Sequence, residues 1–395
     1  MSIYRYLKNP CYLYFSLWCF YLLQGTFYES GSIISQAILF VILIISLGDM
    51  IRVNMIIDKP LYFKGLNYLF SLFTIYGIIL MIVDGAYVKS QYFSPPTYNY
   101  LRTIYYSILP VYSCYYYTYK GYINDKSLQK WVIVFMGVAI LEYFRIKDEE
   151  LHRLLDAGSN RTEMTNNIGY MMLLLTPCCF AFKKVMIRVI YISISLSFVF
   201  FSMKRGAILI AAICILMLLW SLLKKTNSNK KIAICFVVCV ALYFVVGFIE
   251  NFASSSEFFQ QRLEETLSGN SSGRDSLFTN LIDHFLYKAN LFQILFGMGA
   301  EGTIKVTYNY AHNDWLELLT NQGLLGLVAF FLYWIFFYKT IKSSNEDSMS
   351  RFVLKYIYVI MLLRTLFSMS IGDMNIYSSC MLGYALAYGF ENNIE

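Results

Sequence analysis

The residues that could do chemistry sit in a few short polar motifs of an otherwise greasy chain. The richest motif is Tyr308-Asn309-Tyr310-Ala311-His312-Asn313-Asp314-Trp315-Leu316-Glu317, followed by Gly323-Leu324-Leu325-Gly326. His312 is one of three histidines, with His152 and His284. An imidazole titrates near neutrality and can take a proton from a hydroxyl group. Asp314 and Glu317 have capping-box spacing, which places His312 just before a helix N-terminus. The helix dipole there favours neutral imidazole, the form able to accept a proton. A lone histidine is more often an ordinary polar residue, so the stretch from about Glu250 to Gly326 is either a tether or an active site.

The second set is cationic. Lys204-Arg205-Gly206 forms a turn of a few residues between two apolar runs. A cation held there is costly unless it meets an anion or a wet cavity, although both side chains could also snorkel to headgroups. Arg274 falls in the first turn of a helix expected to start at Ser272, where the dipole disfavours a cation; such misplacement hints at a functional demand. Arg161 precedes Asn166, Asn167, Gly169 and Pro177 as the chain turns back into an apolar run. Arg364 lies inside an apolar segment, with Asp373 a partner by position. The mixed charge from Arg145 to Glu163 otherwise reads as a solvated connection.

The elements that must hold these groups are apolar. The chain has 395 residues, of which 58% are hydrophobic and 14% charged, with a mean hydropathy of +0.52. That composition excludes a soluble globular protein. Apolar runs of about 15–20 residues recur, and the short alternating strands of a barrel do not. The reading is an all-α polytopic membrane protein. Spans are expected near 11–27, 32–48, 66–83, 100–118, 131–144, 166–182, 189–203, 206–223, 232–250, 323–338, 356–371 and 374–390, roughly twelve transmembrane helices. Residues 1–395 then form one membrane domain, with 251–322 as its long polar loop. The first span starts almost at once and no small-residue cleavage site follows, so no removable signal peptide is expected.

Of the 32 basic residues, 19 fall before the first expected span and on the even-numbered connections. By the positive-inside rule both termini are cytoplasmic and the long loop faces outward. Within that loop, Ser254 and Glu257 fit a capping box, with Phe258, Phe259, Leu263 and Leu267 at helical spacing after it. Leu277, Leu281 and Phe285 line one face of the second helix, and Gly297, Gly299 and Gly302 end the stretch. All nine cysteines lie in apolar segments without ligand spacing, and three histidines are too few for a multi-histidine metal centre. No metal or other cofactor is expected.

The chain resembles the O-antigen polymerase and O-antigen ligase family of bacterial envelope glycosyltransferases. The matching pieces are Ser202-Met203-Lys204-Arg205-Gly206-Ala207, Ser272-Gly273-Arg274-Asp275-Ser276-Leu277-Phe278, Gly297-Met298-Gly299, and Ala311-His312-Asn313-Asp314-Trp315-Leu316-Glu317 with Gly323 and Gly326. A weaker match is Arg161 with Asn167, Gly169 and Pro177. Together they cover about residues 160–340.

The resemblance implies metal-independent glycosyl transfer at the outer face of the bacterial inner membrane. The donor would be a glycan on undecaprenyl diphosphate. The acceptor would be a second lipid-linked repeat unit for a polymerase, or lipid A-core for a ligase. Arg205 and Arg274 would hold the diphosphate, and His312 would activate the acceptor hydroxyl. Arg161, Lys204, Asn313 and Arg364 would support substrate binding. Membrane lipids and a chain-length regulator are the implied partners, and nucleic acid is not. The 35 tyrosines and 32 phenylalanines and the Lys-Arg-Gly turn resemble the polymerases more than the ligases. A capsule polymerase of a Gram-positive cell would fit as well. A lipid-linked oligosaccharide flippase is the competing class, but the expected spans divide nine plus three around the loop without a halfway repeat. Nothing in the sequence argues for a non-catalytic assembly subunit.

Overall fold

In the computed structural model every described element is helical. The structure describes residues 9–82, 96–156, 164–224, 256–268, 273–345, 348–371 and 374–391, together with positions 247, 251 and 254. The first part runs α1 (Pro10–Leu22), α2 (Ile33–Met55), α3 (Tyr62–Ile82), α4 (Pro96–Tyr119), α5 (Asp125–Asp156), α6 (Ile168–Leu175), α7 (Val185–Phe201) and α8 (Arg205–Lys224). The loop region holds α9 (Glu257–Leu267), α10 (Arg274–Asp283), α11 (Leu291–Phe296) and α12 (Gly302–Thr307). The chain then forms α13 (Asp314–Ser343), α14 (Met349–Phe367) and α15 (Ile376–Glu391). By length and composition α2, α3, α5 and α13 are apolar enough to cross a membrane, and the segments 168–181, 185–201 and 205–221 are shorter apolar helices.

Several expectations change. The fifth span, expected over 131–144 as the shortest, belongs to a helix of 32 residues, the longest described. The charged stretch after it is no loop up to Asp156. Arg145–Glu149, Arg153–Glu150 and His152–Asp148 pair at one-turn spacing, which lets the helix continue beyond its apolar part. The sixth span is α-helical only to Leu175, then continues as a 3₁₀ segment over Thr176–Ala181 with Pro177 near its start. The expected span 232–250 lies almost wholly outside the described residues.

The core is aromatic and close-packed. Trp18, Tyr14, Phe15, Phe63, Tyr112 and Tyr115 are all buried, and tilted or edge-on ring pairs such as Phe63–Tyr115, at 4.7 Å, recur through it. Long packing partners are α4 with α15 and α3 with α13. At the second contact a Cβ on Gly65 would lie 2.8 Å from the Tyr333 Cα, so the missing side chain lets the two backbones approach. Where the loop is described it packs onto the bundle. Phe259 of α9 and Leu281 of α10 are buried, as their helical spacing requires.

Candidate active site

The site forms around the C-terminal end of α14, whose last carbonyls have no partner within the helix. Ser368 follows in an extended conformation. Asn313 Nδ2 donates to the Leu366 carbonyl at 3.5 Å, and Arg274 Nη1 donates to the Phe367 carbonyl at 3.1 Å. Tyr170 Oη reaches the same Phe367 oxygen at 3.4 Å. A Cβ on Gly206 would run into both Tyr170 Oη and the Phe367 side chain. One helix end therefore gathers the Lys204-Arg205-Gly206 turn, Tyr170, Arg274 and the Asn313 motif. It also resolves the misplaced cation. Arg274 begins its own helix, but its guanidinium sits at the carboxyl end of another, where the dipole favours positive charge.

His312 is exposed and held in the left-handed region, with φ of 52°. For a residue with a Cβ such a conformation costs about 1–3 kcal/mol and persists only where neighbours enforce it. The neighbours are plain. On one side the buried Ala311 donates its N–H to Glu317 Oε1. On the other, Asn313 Oδ1 accepts from Trp315 N and Leu316 N, at 3.0 and 3.2 Å, capping α13. Trp315 Nε1 is fixed by Thr365 Oγ1 at 3.0 Å.

The expected Asp314–Glu317 capping box is thus replaced. Asp314 Oδ2 instead accepts from the Ser370 and Ile371 amides, tying α13 to the segment after α14. Glu317 Oε2 accepts from Thr303 Oγ1 at 2.7 Å and Asn321 Nδ2 at 3.2 Å. The other two expected starts shift too. Ser256, not Ser254, caps α9 through Phe259 N at 3.0 Å, and Ser254 bonds back to Asn251. Gly273, with φ of 81°, is the N-cap of α10, and Ser272 lies outside the described residues.

The glycines of the motif have a structural task. α13 breaks at Gly323, where φ is 64° and ψ −154°. The Gly297-Met298-Gly299 turn lies against this break, with Met298 N and Gly299 N donating to the Thr320 and Asn321 carbonyls at 2.8 and 3.0 Å. A Cβ on Gly323 would stand 2.6 Å from Gly297 N and from Ile294 O.

Lys204 and Arg205 each lie within electrostatic reach of Arg262 and Arg274, and Arg262 is itself ion-paired with Glu265 at 2.8 Å. Burial first, and then the charges of Arg262 and Arg274, push the Lys204 ammonium down to about 8, with Glu150 opposing. Like charges gathered this closely are poised for an anion. Beside them a cavity of about 410 Å³ is lined by Lys204, Arg262, Glu150, Thr165, Asn167 and Phe258, among others. The sequence reading missed Arg262, whose one signal is that it falls at i+4 from Phe258 and i+3 from Phe259, a cation on the aromatic face of a loop helix. Arg364 is fully buried in α14, its guanidinium 5.0 Å from the Tyr170 ring centroid and in electrostatic reach of Asp314. Arg161 and Asp373 lie outside the described residues. Among the described residues no group of three or more histidine, cysteine or acidic side chains is placed to hold a metal ion.

Apolar helices of membrane length, joined to a polar site at their ends, define an integral membrane protein. Residues 190–331 match the family model described as O-antigen ligase. The matched stretch contains the Lys-Arg-Gly turn, Arg262, Arg274, His312 and both motif glycines. The match covers about a third of the chain and is a likeness of that stretch to the O-antigen ligase family. No curated protein matches the chain.

Proposed function

We propose that the protein is a surface-polysaccharide polymerase, joining repeat units carried on undecaprenyl diphosphate at the outer face of the bacterial inner membrane. The observation that carries this reading is the meeting of the cationic turn, Arg274 and the His312-Asn313 motif at the end of α14. The donor diphosphate binds Arg205 and Arg274, with Lys204 and Arg262 beside them. The acceptor hydroxyl oxygen attacks the anomeric carbon of the donor sugar, and His312 takes the hydroxyl proton. The bond from that carbon to the diphosphate breaks, and undecaprenyl diphosphate leaves with the electron pair. Charge-assisted contacts from arginine stabilise the leaving oxygen as its charge develops. Arg364 acts from beneath, by fixing Tyr170 and Asp314. The 251–322 loop faces outward with both termini cytoplasmic, as the basic residues require. Arg161 is assigned a supporting contact, and a chain-length regulator is the protein partner of this reading.

The matched family does not separate this reading from the alternative acceptor, lipid A-core, which would make the protein a ligase. Deletion of the gene separates the two when surface glycan is resolved by gel. Lipid A-core bearing a single repeat unit is the expected result. Uncapped core with polymer accumulating on undecaprenyl diphosphate would transfer the assignment to the ligase. An unchanged glycan profile would overturn both.

A further inference from the structure

A second cavity, of about 300 Å³, lies between α3, α4 and the α12–α13 segment. Its wall includes Tyr310 and Asp314, two residues before and two after His312. It is within the size range of small-molecule sites, and its lining mixes apolar surface with a few convergent polar groups. Phe73, Tyr100 and Ile104 supply the apolar part; Glu301, Glu317 and Gln322 supply acceptors.

Two observations point to a ligand with hydroxyl groups. Gln322 is 1% exposed, and its amide is only half satisfied: Nε2 donates to Tyr100 Oη at 3.2 Å, while Oε1 is buried without a hydrogen-bond partner. A buried amide oxygen left this way is costly, and a small turn of this side chain, already in the cavity wall, offers it to a donor from outside the protein. Glu301 is the second. It holds a left-handed φ of 58° at the start of α12, with Tyr310 Oη at 3.4 Å from its carboxylate. Burial pushes its carboxyl up to about 7, so it gains from any donor that reaches it.

We propose that this cavity is a sugar subsite of the proposed transfer reaction, taking one ring of the acceptor glycan. Hydroxyl groups of that ring donate to Glu301 and to Gln322 Oε1, and its apolar face lies on Tyr100 and Phe73. Occupancy places the next hydroxyl beside His312, because Tyr310 and Asp314 belong both to this wall and to the histidine's own turn. An isoprenoid chain would suit Phe73 and Ile104 but would leave Gln322 Oε1 unsatisfied and press apolar surface on the Glu301 carboxyl. The inference rests on the glycan-transfer reading for its ligand.

The test uses the full-length protein in nanodiscs and two probes. One is the repeat-unit oligosaccharide freed from its lipid diphosphate by mild acid, prepared from a strain lacking this gene. The other is undecaprenyl diphosphate without sugar. Glu301→Gln and Gln322→Met should each weaken oligosaccharide binding at least about fivefold and leave undecaprenyl diphosphate binding unchanged. Arg274→Ala should do the reverse. Oligosaccharide binding that ignores both cavity substitutions, or no such binding by a protein that polymerises, overturns the subsite. Tighter undecaprenyl diphosphate binding in the cavity variants overturns it in favour of the isoprenoid chain. Failure of the gene deletion to alter surface glycan would instead remove the transfer reading, and is scored separately from these affinities.

Discussion

Substituting Gly323 by alanine tests whether the broken start of α13 holds the histidine turn in place. The added Cβ would stand 2.6 Å from Gly297 N and Ile294 O, which are backbone atoms that cannot swing aside. Its φ of 64° with ψ of −154° also belongs to a region that residues with a Cβ scarcely enter, at a cost of about 1–3 kcal/mol. Relief requires the Gly297-Met298-Gly299 turn to move off, breaking the Met298–Thr320 and Gly299–Asn321 bonds, each worth roughly 0.5–1.5 kcal/mol. The combined effect is about 2–6 kcal/mol, confined to this junction because the membrane-length part of α13 begins beyond it. Hydrogen exchange reads it directly. Amides of 297–303 should lose protection by a factor of roughly 30 or more, while α3 and α4 keep theirs. Surface glycan should fall to a single repeat unit although the protein still inserts. Gly48→Ala is the control, since a Cβ there meets nothing within 4 Å. Unchanged exchange at 297–303 with a full-length glycan ladder would refute the account of the glycine pair.

The other predictions follow from the same geometry. His312→Ala and Arg274→Ala should abolish glycan polymerisation in a complementation assay while membrane insertion stays normal; full complementation by either variant removes that residue from the mechanism. Asn313→Ala should destabilise the start of α13 by about 1 kcal/mol, the usual worth of a lost cap, whereas Asn313→Ser keeps the cap and should recover most of that stability, as thermal unfolding would show. Lys204, held down to about 8, is charged below that pH and neutral above it in the empty site. Donor KM should therefore rise as pH passes 8, and Lys204→Arg should flatten the rise. The Glu301 carboxyl, raised to about 7, binds its proton more tightly folded than unfolded. It shares its cavity with Arg102, Tyr310, Asp314 and Glu317. Its contribution is present below about pH 4.5 and is lost as pH rises through 7, so Glu301→Gln should lessen the fall in melting temperature across that window.

Helix identity was legible where apolar runs are long, because apolar length and periodicity are local properties of the chain. α2, α3 and α4 fall where the apolar runs lie, and His312 stands just before a helix start as the motif suggests. Capping was legible only to within a residue or two. Asn313 and Ser256 do what was expected of Asp314 and Ser254, since each cap competes with tertiary partners that the sequence does not display. The Asn290–Gln293 capping box of α11 has the spacing that marks a helix start, though no apolar run of span length follows it. α5 exceeded its apolar run because ion pairs at one-turn spacing carry a helix where hydropathy stops.

By itself, the sequence determined a helical membrane protein with a polar, cation-bearing loop and one histidine at a helix start. Those are consequences of composition, periodicity and short spacing. Tertiary structure alone decided that the Leu366 and Phe367 carbonyls are where these pieces meet, that Arg262 joins Lys204 and Arg274, and that Glu317 braces Ala311. It also decided that Gln322, in the wall of a cavity beside the histidine, keeps a buried amide oxygen without a partner. Arg274 is 93 residues from its acceptor and Asn313 is 53 from its own, and such contacts are set by how helices pack. The free ends of a helix are the same in every sequence; only packing chooses which side chains satisfy them.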